Sequence, residues 1–172
     1  MEGIEFYVDA ITNSIVEVVT RESVDTDVKP VMPGDLKKIL KKHGWKFNWK
    51  EQLEYPDRQI YKLLIRDDEV IQGLISLQSM DRHVEMHLIE TAPHNFGSKK
   101  RYIGVPPNMV AFACKISFEM GFEGFVGFRA KTRLIQHYID TLGGELLFRD
   151  RMQISEKNAG KLVNSYFKTD FK

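Results

Sequence analysis

Three β-rich runs in close succession, followed by a helix apolar around most of its circumference, constrain this chain more than any other feature. The stretch "RQIYKLLIRDDEVIQGLISLQS" (58–79) holds two runs of branched and aliphatic residues on either side of Asp67–Asp68. Such runs broken by a short polar pair read as an antiparallel hairpin. "HVEMHLIETA" (83–92) supplies a further strand. A polar loop over 93–106 then leads into "NMVAFACKISFEM" (108–120), stopped by Gly121. At helical spacing Met109, Phe112, Ala113, Ile116 and Met120 share one face, and Val110 and Cys114 widen it. A helix of that kind needs a sheet to cover it, and the meander needs a helix on its apolar face.

The rest of the C-terminal half continues the pattern. "GFVGFR" (124–129) predicts a short strand. "TRLIQHYIDTL" (132–142) predicts a helix with Leu134, Ile135, Tyr138 and Leu142 inward, ended by Gly143–Gly144. "ELLF" (145–148) reads as a strand, and an amphipathic helix spans roughly 156–167. The fold class is α/β, a sandwich around a mixed, mostly antiparallel sheet.

The N-terminal third is less regular. Ile4, Val8, Ile11, Ile15 and Val18 fall at spacings of four and three, which predicts a helix over 4–19. Strict alternation also partly fits this stretch, because Ile, Val and Phe favour strands. "ESVDTDVKPVMPGD" (22–35) reads as a polar connection. Asp35 is placed to cap a short helix, "LKKILKKH", stopped by Gly44, and "WKFNWK" (45–50) alternates like a strand.

Composition narrows the function classes. The formal net charge of +1 argues against bulk electrostatic binding to nucleic acid or membrane. No apolar run approaches the ~18 residues that span a bilayer, and the N-terminus lacks the basic region of a secretory signal. The single cysteine, Cys114, leaves no internal disulfide and no zinc–thiolate set. A cytoplasmic protein of one domain (1–172), without a metal, is the expectation.

The chain resembles the GNAT-type N-acetyltransferases, and within them a bacterial branch, across about residues 60–150. "LLIRDDEVIQGLISLQ" looks like that family's second and third strands. "VEMHLIETA" looks like the fourth, which splays from the fifth to admit acetyl-CoA. Arg101 and Gly104 match the first two fixed positions of the family's Arg/Gln-x-x-Gly-x-Gly/Ala loop, and Pro106 departs at the third. The more particular run "FACKISFEMGF…KTRLIQHY" carries the likeness to the bacterial branch. The resemblance implies a GNAT-like sheet with a splayed central strand pair, an acceptor-side region over 1–50, and acetyl-CoA as co-substrate. It also implies that backbone groups near Ile89, Glu90 and Thr91 hold the pantetheine arm.

The loop "KKRYIGVPPNM" (99–109) can be weighed chemically. A pyrophosphate needs convergent N–H groups at a helix N-terminus. Pro106 and Pro107 each remove a donor, but proline in a first helical turn removes one the helix does not use. The remaining donors are the amides of Tyr102, Ile103, Gly104 and Val105, then Asn108 and Met109, with Lys99, Lys100 and Arg101 as charge. The alternative is a solvated basic loop ahead of a proline-started helix.

Acetyl transfer to an amine requires loss of an amine proton, stabilisation of an oxyanion and protonation of the leaving thiolate. The resemblance makes Tyr138 the candidate acid, although Gly143 lies five residues on where the family pattern has four. A core tyrosine is the alternative, and His137 stands adjacent. Glu85 is the candidate base on the fourth-strand segment, with His87 on the same face, and salt bridges are the alternative for each. Cys114 belongs to the core. Lys37, Lys38, Lys41, Lys42, Trp45 and Trp49 fall within a run of lysines and aromatics without acids, a pattern that can bind single-stranded nucleic acid or be a solvated face over core tryptophans. Three functional readings follow: an acetyl-CoA-dependent N-acetyltransferase acting on an amine, a non-catalytic acyl-CoA-binding or sensing module, and an RNA-binding module built on 37–50. A homodimer is compatible with all three.

Overall fold

A computed structural model describes residues 3–12 and 14–167. A seven-stranded sheet forms the centre. It is built from β3 (Thr26–Pro30), β4 (Gln59–Ile65), β5 (Ile71–Ser79), β6 (Val84–Thr91), β8 (Val126–Arg129), β9 (Glu145–Phe148) and β10 (Arg151–Ile154) in the order β3-β4-β5-β6-β8-β10-β9. All neighbours are antiparallel except β6 and β8. A second, three-stranded sheet joins β1 (Ile15–Glu17), β2 (Ser23–Val24) and β7 (Tyr102–Ile103).

The hairpin expected over 58–79 is β4–β5, turning through Asp67, which adopts a left-handed φ of 64°. An aspartate tolerates that conformation better than most residues. The apolar helix is α2 (Val105–Glu119), with Pro106 and Pro107 in its first turn. It packs with α3 (Ile135–Leu142) and α4 (Glu156–Tyr166) over one face of the sheet, in a cluster that includes Leu63, Ile75, Met86, Ile89, Met109, Tyr138 and Leu162. On the other face Leu36, Ile39, Trp45 and Trp49 cover Ile60 and Leu74. No helix among the described residues is long and apolar enough to cross a membrane.

Several N-terminal expectations are corrected. Among the described residues 4–12 and 14–19 there is no helix. Ile4, Phe6 and Val8 are buried while Tyr7 is exposed, the period of an extended chain. The alternation prevails because the backbone finds partners there: the Ile4 N–H donates to the Arg129 carbonyl at 2.7 Å, and the Lys131 N–H to the Ile4 carbonyl at 3.1 Å. The 22–35 connection contains β3, an edge strand whose polar residues suit solvent and whose last position tolerates Pro30. The helix expected at 36–43 is two 3-10 turns, Pro33–Lys38 and Lys41–His43. Asp35 lies inside the first of them, accepting from the Met32 N–H at 2.8 Å and from Lys62 at 2.7 Å. "WKFNWK" is not a strand. Asn48 instead caps α1 (Trp49–Glu54) by accepting from the Glu51 N–H at 3.2 Å. β10 was not anticipated; it inserts between β8 and β9 and leaves β9 at the edge.

Candidate active site

The pair β6–β8 is parallel in an otherwise antiparallel sheet, and it is brief. Pairing covers Val84↔Val126 and Glu85↔Gly127, after which the strands part. The Ala92 N–H donates to the Gln72 carbonyl on the β5 side. Alternation along a strand therefore turns the N–H groups of Glu90 toward β5 and those of Ile89 and Thr91 toward the gap. A cavity of about 450 Å³ opens at that edge, lined among others by Ile89, Glu90, Thr91, Phe47, Lys100 and Pro106.

One end of the cavity is the N-terminus of α2. Gly104 precedes the helix at φ 88°, a conformation that favours glycine, and Lys99, Lys100 and Arg101 lie just upstream. Several of the amides expected to cradle an anion are already engaged. The Tyr102 N–H donates to Asn95 Oδ1 at 3.1 Å. Ile103 sits in β7, opposite Val16. The Gly104 N–H points at the Asp9 carboxylate, 3.2 Å from Oδ1 and 3.3 Å from Oδ2, and Lys100 Nζ stands 3.7 Å from the same group. Val105 is the fully buried first residue of α2. Asn108 is buried, accepts from Thr26 Oγ1 at 3.0 Å and leaves its Nδ2 without a partner among the described residues. The Arg101 guanidinium lies 5.6 Å from the Tyr102 ring centre.

Behind Phe6, which lines the cavity, stands Tyr138, fully buried in α3. Its hydroxyl donates to the Phe6 carbonyl at 2.8 Å and accepts from the Phe6 N–H at 3.0 Å, and the two rings stack at 4.6 Å. Burial pushes this phenol well above its ordinary range. The neighbouring His137 accepts the Val8 N–H on Nε2 at 2.9 Å. α3 ends at Leu142 with Gly143 as its cap, five residues after Tyr138. The Gly143 and Gly144 amides close it on the Ile139 and Tyr138 carbonyls.

No protein-family model and no curated protein sequence matches the chain. Solved structures do. A chimera of the spermidine N-acetyltransferase SpeG from Vibrio cholerae and hSSAT superposes with a TM-score of 0.56 at 14% identity, over 78% of this chain and 98% of that one. A mutant form of the spermidine/spermine N-acetyltransferase SpeG from Vibrio cholerae gives 0.55 at 13%, over 80% and 97%. A dodecameric structure of spermidine N-acetyltransferase from the same organism gives 0.50 at 14%, over 77% and 95%. The fold is that of the GNAT-type N-acetyltransferases.

The other candidate residues of this GNAT fold fall into two groups. Glu85 lies where β6 and β8 are still paired, not where they have parted. Its carboxylate takes Arg151 Nη2 at 2.9 Å, with Nη1 on the second oxygen, and His83 Nε2 at 2.9 Å. Burial alone would raise its pKa, but the Arg151 and His83 bonds prevail and hold it below the usual carboxylate range. His87 bonds Gln78 Oε1 at 2.8 Å, and burial lowers its pKa. Glu90 turns its side chain to the opposite face. It accepts from the Trp49 indole N–H at 2.8 Å, the Lys46 N–H at 2.7 Å and, at longer range, the Phe47 N–H at 3.4 Å, and so pins the 45–49 segment to the sheet.

The basic stretch is separated by the fold. Lys37, Lys38, Lys41 and Lys42 are exposed, but Trp45 and Trp49 are buried in the second apolar cluster. The expectation of interleaved aromatics for base stacking is thus corrected: those rings are not at the surface. Cys114 is buried, and burial raises its thiol far above the ordinary range. Sequence reasoning missed Asp9 and Phe6. The alternation of Ile4, Phe6 and Val8 was the signal that could have found them.

Proposed function

We propose that the chain is an N-acetyltransferase that moves an acetyl group from acetyl-CoA directly to an amine. The observation that carries this reading is the gap between β6 and β8, with outward-turned amides of β6 on one side and Phe6, backed by the Tyr138 hydroxyl, on the other. The SpeG structures, named as N-acetyltransferases and built on the same fold, support it. In this reading the pantetheine arm lies along β6 at Ile89–Thr91. The pyrophosphate faces the amides of Gly104 and Val105, with Lys99, Lys100 and Arg101 as counter-charge.

The chemistry then needs little from the side chains. The amine nitrogen attacks the thioester carbonyl, forming the C–N bond. The oxyanion is met by an amide of β6. Collapse breaks the C–S bond, and the thiolate takes the Tyr138 proton, which the raised pKa keeps available at neutral pH. The amine proton leaves to solvent, because Glu85 is committed to Arg151 and an amine arriving neutral needs no dedicated base. The SpeG structures are named for spermidine, so a polyamine is the first acceptor to test. Glu5, Glu90 and Asp9 border the cavity and suit a cationic amine. In this reading the reaction takes place in the cytoplasm, where acetyl-CoA is available, and the resemblance to a bacterial branch suggests a bacterial one. Edge strand β9, with Leu146, Leu147 and Phe148 exposed, supports self-association as a homodimer or larger assembly.

The test is thiol release from acetyl-CoA in the presence of polyamines, aminoglycosides and peptide amines. Turnover with at least one class is expected, with kcat reduced about a hundredfold by Tyr138→Phe. CoA binding without turnover for every amine would favour the second reading, a sensing module, for which the engagement of Tyr138 by Phe6 is the supporting observation.

A further inference from the structure

The segment 3–12 runs across both ends of the cleft just described. Four of its even-numbered amides have partners far along the chain, while that of Ala10 donates to Asp9 Oδ1 at 2.9 Å. Ile4 donates to the Arg129 carbonyl, Phe6 to the Tyr138 hydroxyl and Val8 to His137 Nε2, while Thr12 donates to the Tyr166 hydroxyl at 3.0 Å. These bonds hold an extended peptide against the end of β8 and against α3. Ion pairs from Glu5 to Lys131 and Arg133 tie down its outer edge.

Two glycines are fitted to this arrangement. A Cβ on Gly3 would overlap the Ala130 carbonyl, so the close passage beside β8 requires glycine. A Cβ on Gly104 would overlap Thr12 Oγ1 and crowd the Ser14 carbonyl. The open space that a phosphate would use at Gly104 is therefore filled by the chain itself.

The groups engaged are the ones an acyl-CoA would need. The Asp9 carboxylate presents anionic oxygens to the Gly104 N–H and to Lys100 at the start of α2, as a phosphate would. The Phe6 peptide uses both the donor and the acceptor capacity of the Tyr138 hydroxyl, the group proposed to meet the thiolate. Meanwhile the 450 Å³ cavity along Ile89–Thr91 stays open beside the segment. The two chemically decisive ends of the cleft are closed and its middle is not.

We propose that residues 3–12 are an intramolecular mimic of the donor, a strap in which Asp9 takes the seat of the pyrophosphate and Phe6 that of the thioester end, and which acyl-CoA must displace to bind. This rests on the proposed acetyl-CoA site. The apparent donor affinity is then the intrinsic affinity scaled by the fraction of molecules with the strap open. The strap keeps Tyr138 away from solvent when no donor is present and makes activity depend on whatever else holds or frees the N-terminal segment.

The experiment combines calorimetry with CoA and hydrogen exchange on the full chain. Asp9→Ala removes the carboxylate from the Gly104 amide and is expected to tighten CoA binding by about tenfold. Asp9→Asn, which keeps the shape, is expected to tighten it less and serves if the alanine variant is poorly folded. Tyr138→Phe releases Phe6 and is expected to tighten CoA binding while turnover falls, a split that loss of a core hydroxyl alone would not give. In the wild type, saturating CoA is expected to remove exchange protection from the amides of Ile4, Phe6 and Val8. CoA binding that leaves those amides protected and is indifferent to Asp9→Ala and Asp9→Asn overturns the strap while leaving the donor site standing. Absence of CoA binding in the wild type and in both Asp9 variants overturns the donor site itself, and the strap with it.

Discussion

Replacing Arg151 with methionine removes the partner that keeps Glu85 ionised in a mostly buried position. The Glu85 side chain is 12% exposed and that of Arg151 is 32% exposed. Breaking a fully buried pair from one side costs about 3–5 kcal/mol. Solvent reaches Arg151 enough to reduce this, to about 2 kcal/mol at pH 7. The pH dependence has a definite sign. The Glu85 pKa is lowered in the folded protein, so the pair contributes fully above the unfolded carboxyl range and its contribution fades as pH falls through the folded value. In the variant the buried carboxyl keeps only His83 as a partner and holds its proton more readily, so acid penalises it less than the wild type. Urea unfolding at pH 7 and pH 4 should show the stability difference shrinking to under about 1 kcal/mol at the lower pH. Glu85→Gln combined with Arg151→Met should recover much of the loss at pH 7, since no unpaired charge then remains. A difference that is below about 0.5 kcal/mol at pH 7, or equal at both pH values, would refute the account of Glu85 as a structural ion-pair partner.

Glu90→Ala leaves the Trp49 indole N–H and the Lys46 amide without their acceptor, and should cost about 2–3 kcal/mol in urea unfolding followed by tryptophan emission, with Glu90→Gln losing less. Because Trp45 and Trp49 are buried, single-stranded oligonucleotides should leave the native tryptophan emission unchanged; quenching that saturates would contradict their placement. Cys114 should resist a thiol reagent in the native protein and react only on unfolding, and rapid labelling of the native state would contradict its burial.

The parts of the fold that sequence revealed share one property: their local pattern and their tertiary role agree. β4, β5 and β6 are runs rich in β-formers and lie largely buried in the sheet, and α2 is apolar because it lies between the sheet and its neighbouring helices. Where the two disagree, the sequence misled. Ile4, Val8, Ile11 and Ile15 fit a helical stripe, but the backbone of 3–12 is satisfied instead by β8, Tyr138 and His137, partners more than 120 residues away. β3 looked like a linker because an edge strand has no need of an apolar face on both sides. Of the two readings of Trp45 and Trp49, core residues or a stacking platform, the core one holds, and tertiary structure adds that Glu90 draws Trp49 into the second cluster. At the candidate site the loop 99–109 was legible as a helix start with basic charge. That Asp9 lies across it was not, since nothing in an isolated aspartate announces a contact 95 residues on.

The most direct test of the central claim is a crystal structure with desulfo-CoA bound. The account predicts pyrophosphate oxygens on the amides of Gly104 and Val105, the pantetheine arm along Ile89–Thr91, the end of the arm from which the sulfur is missing beside the Tyr138 hydroxyl, and Asp9 and Phe6 withdrawn from their present partners. A ligand bound away from the β6–β8 gap, or bound within it while Asp9 still accepts from the Gly104 N–H, would contradict it.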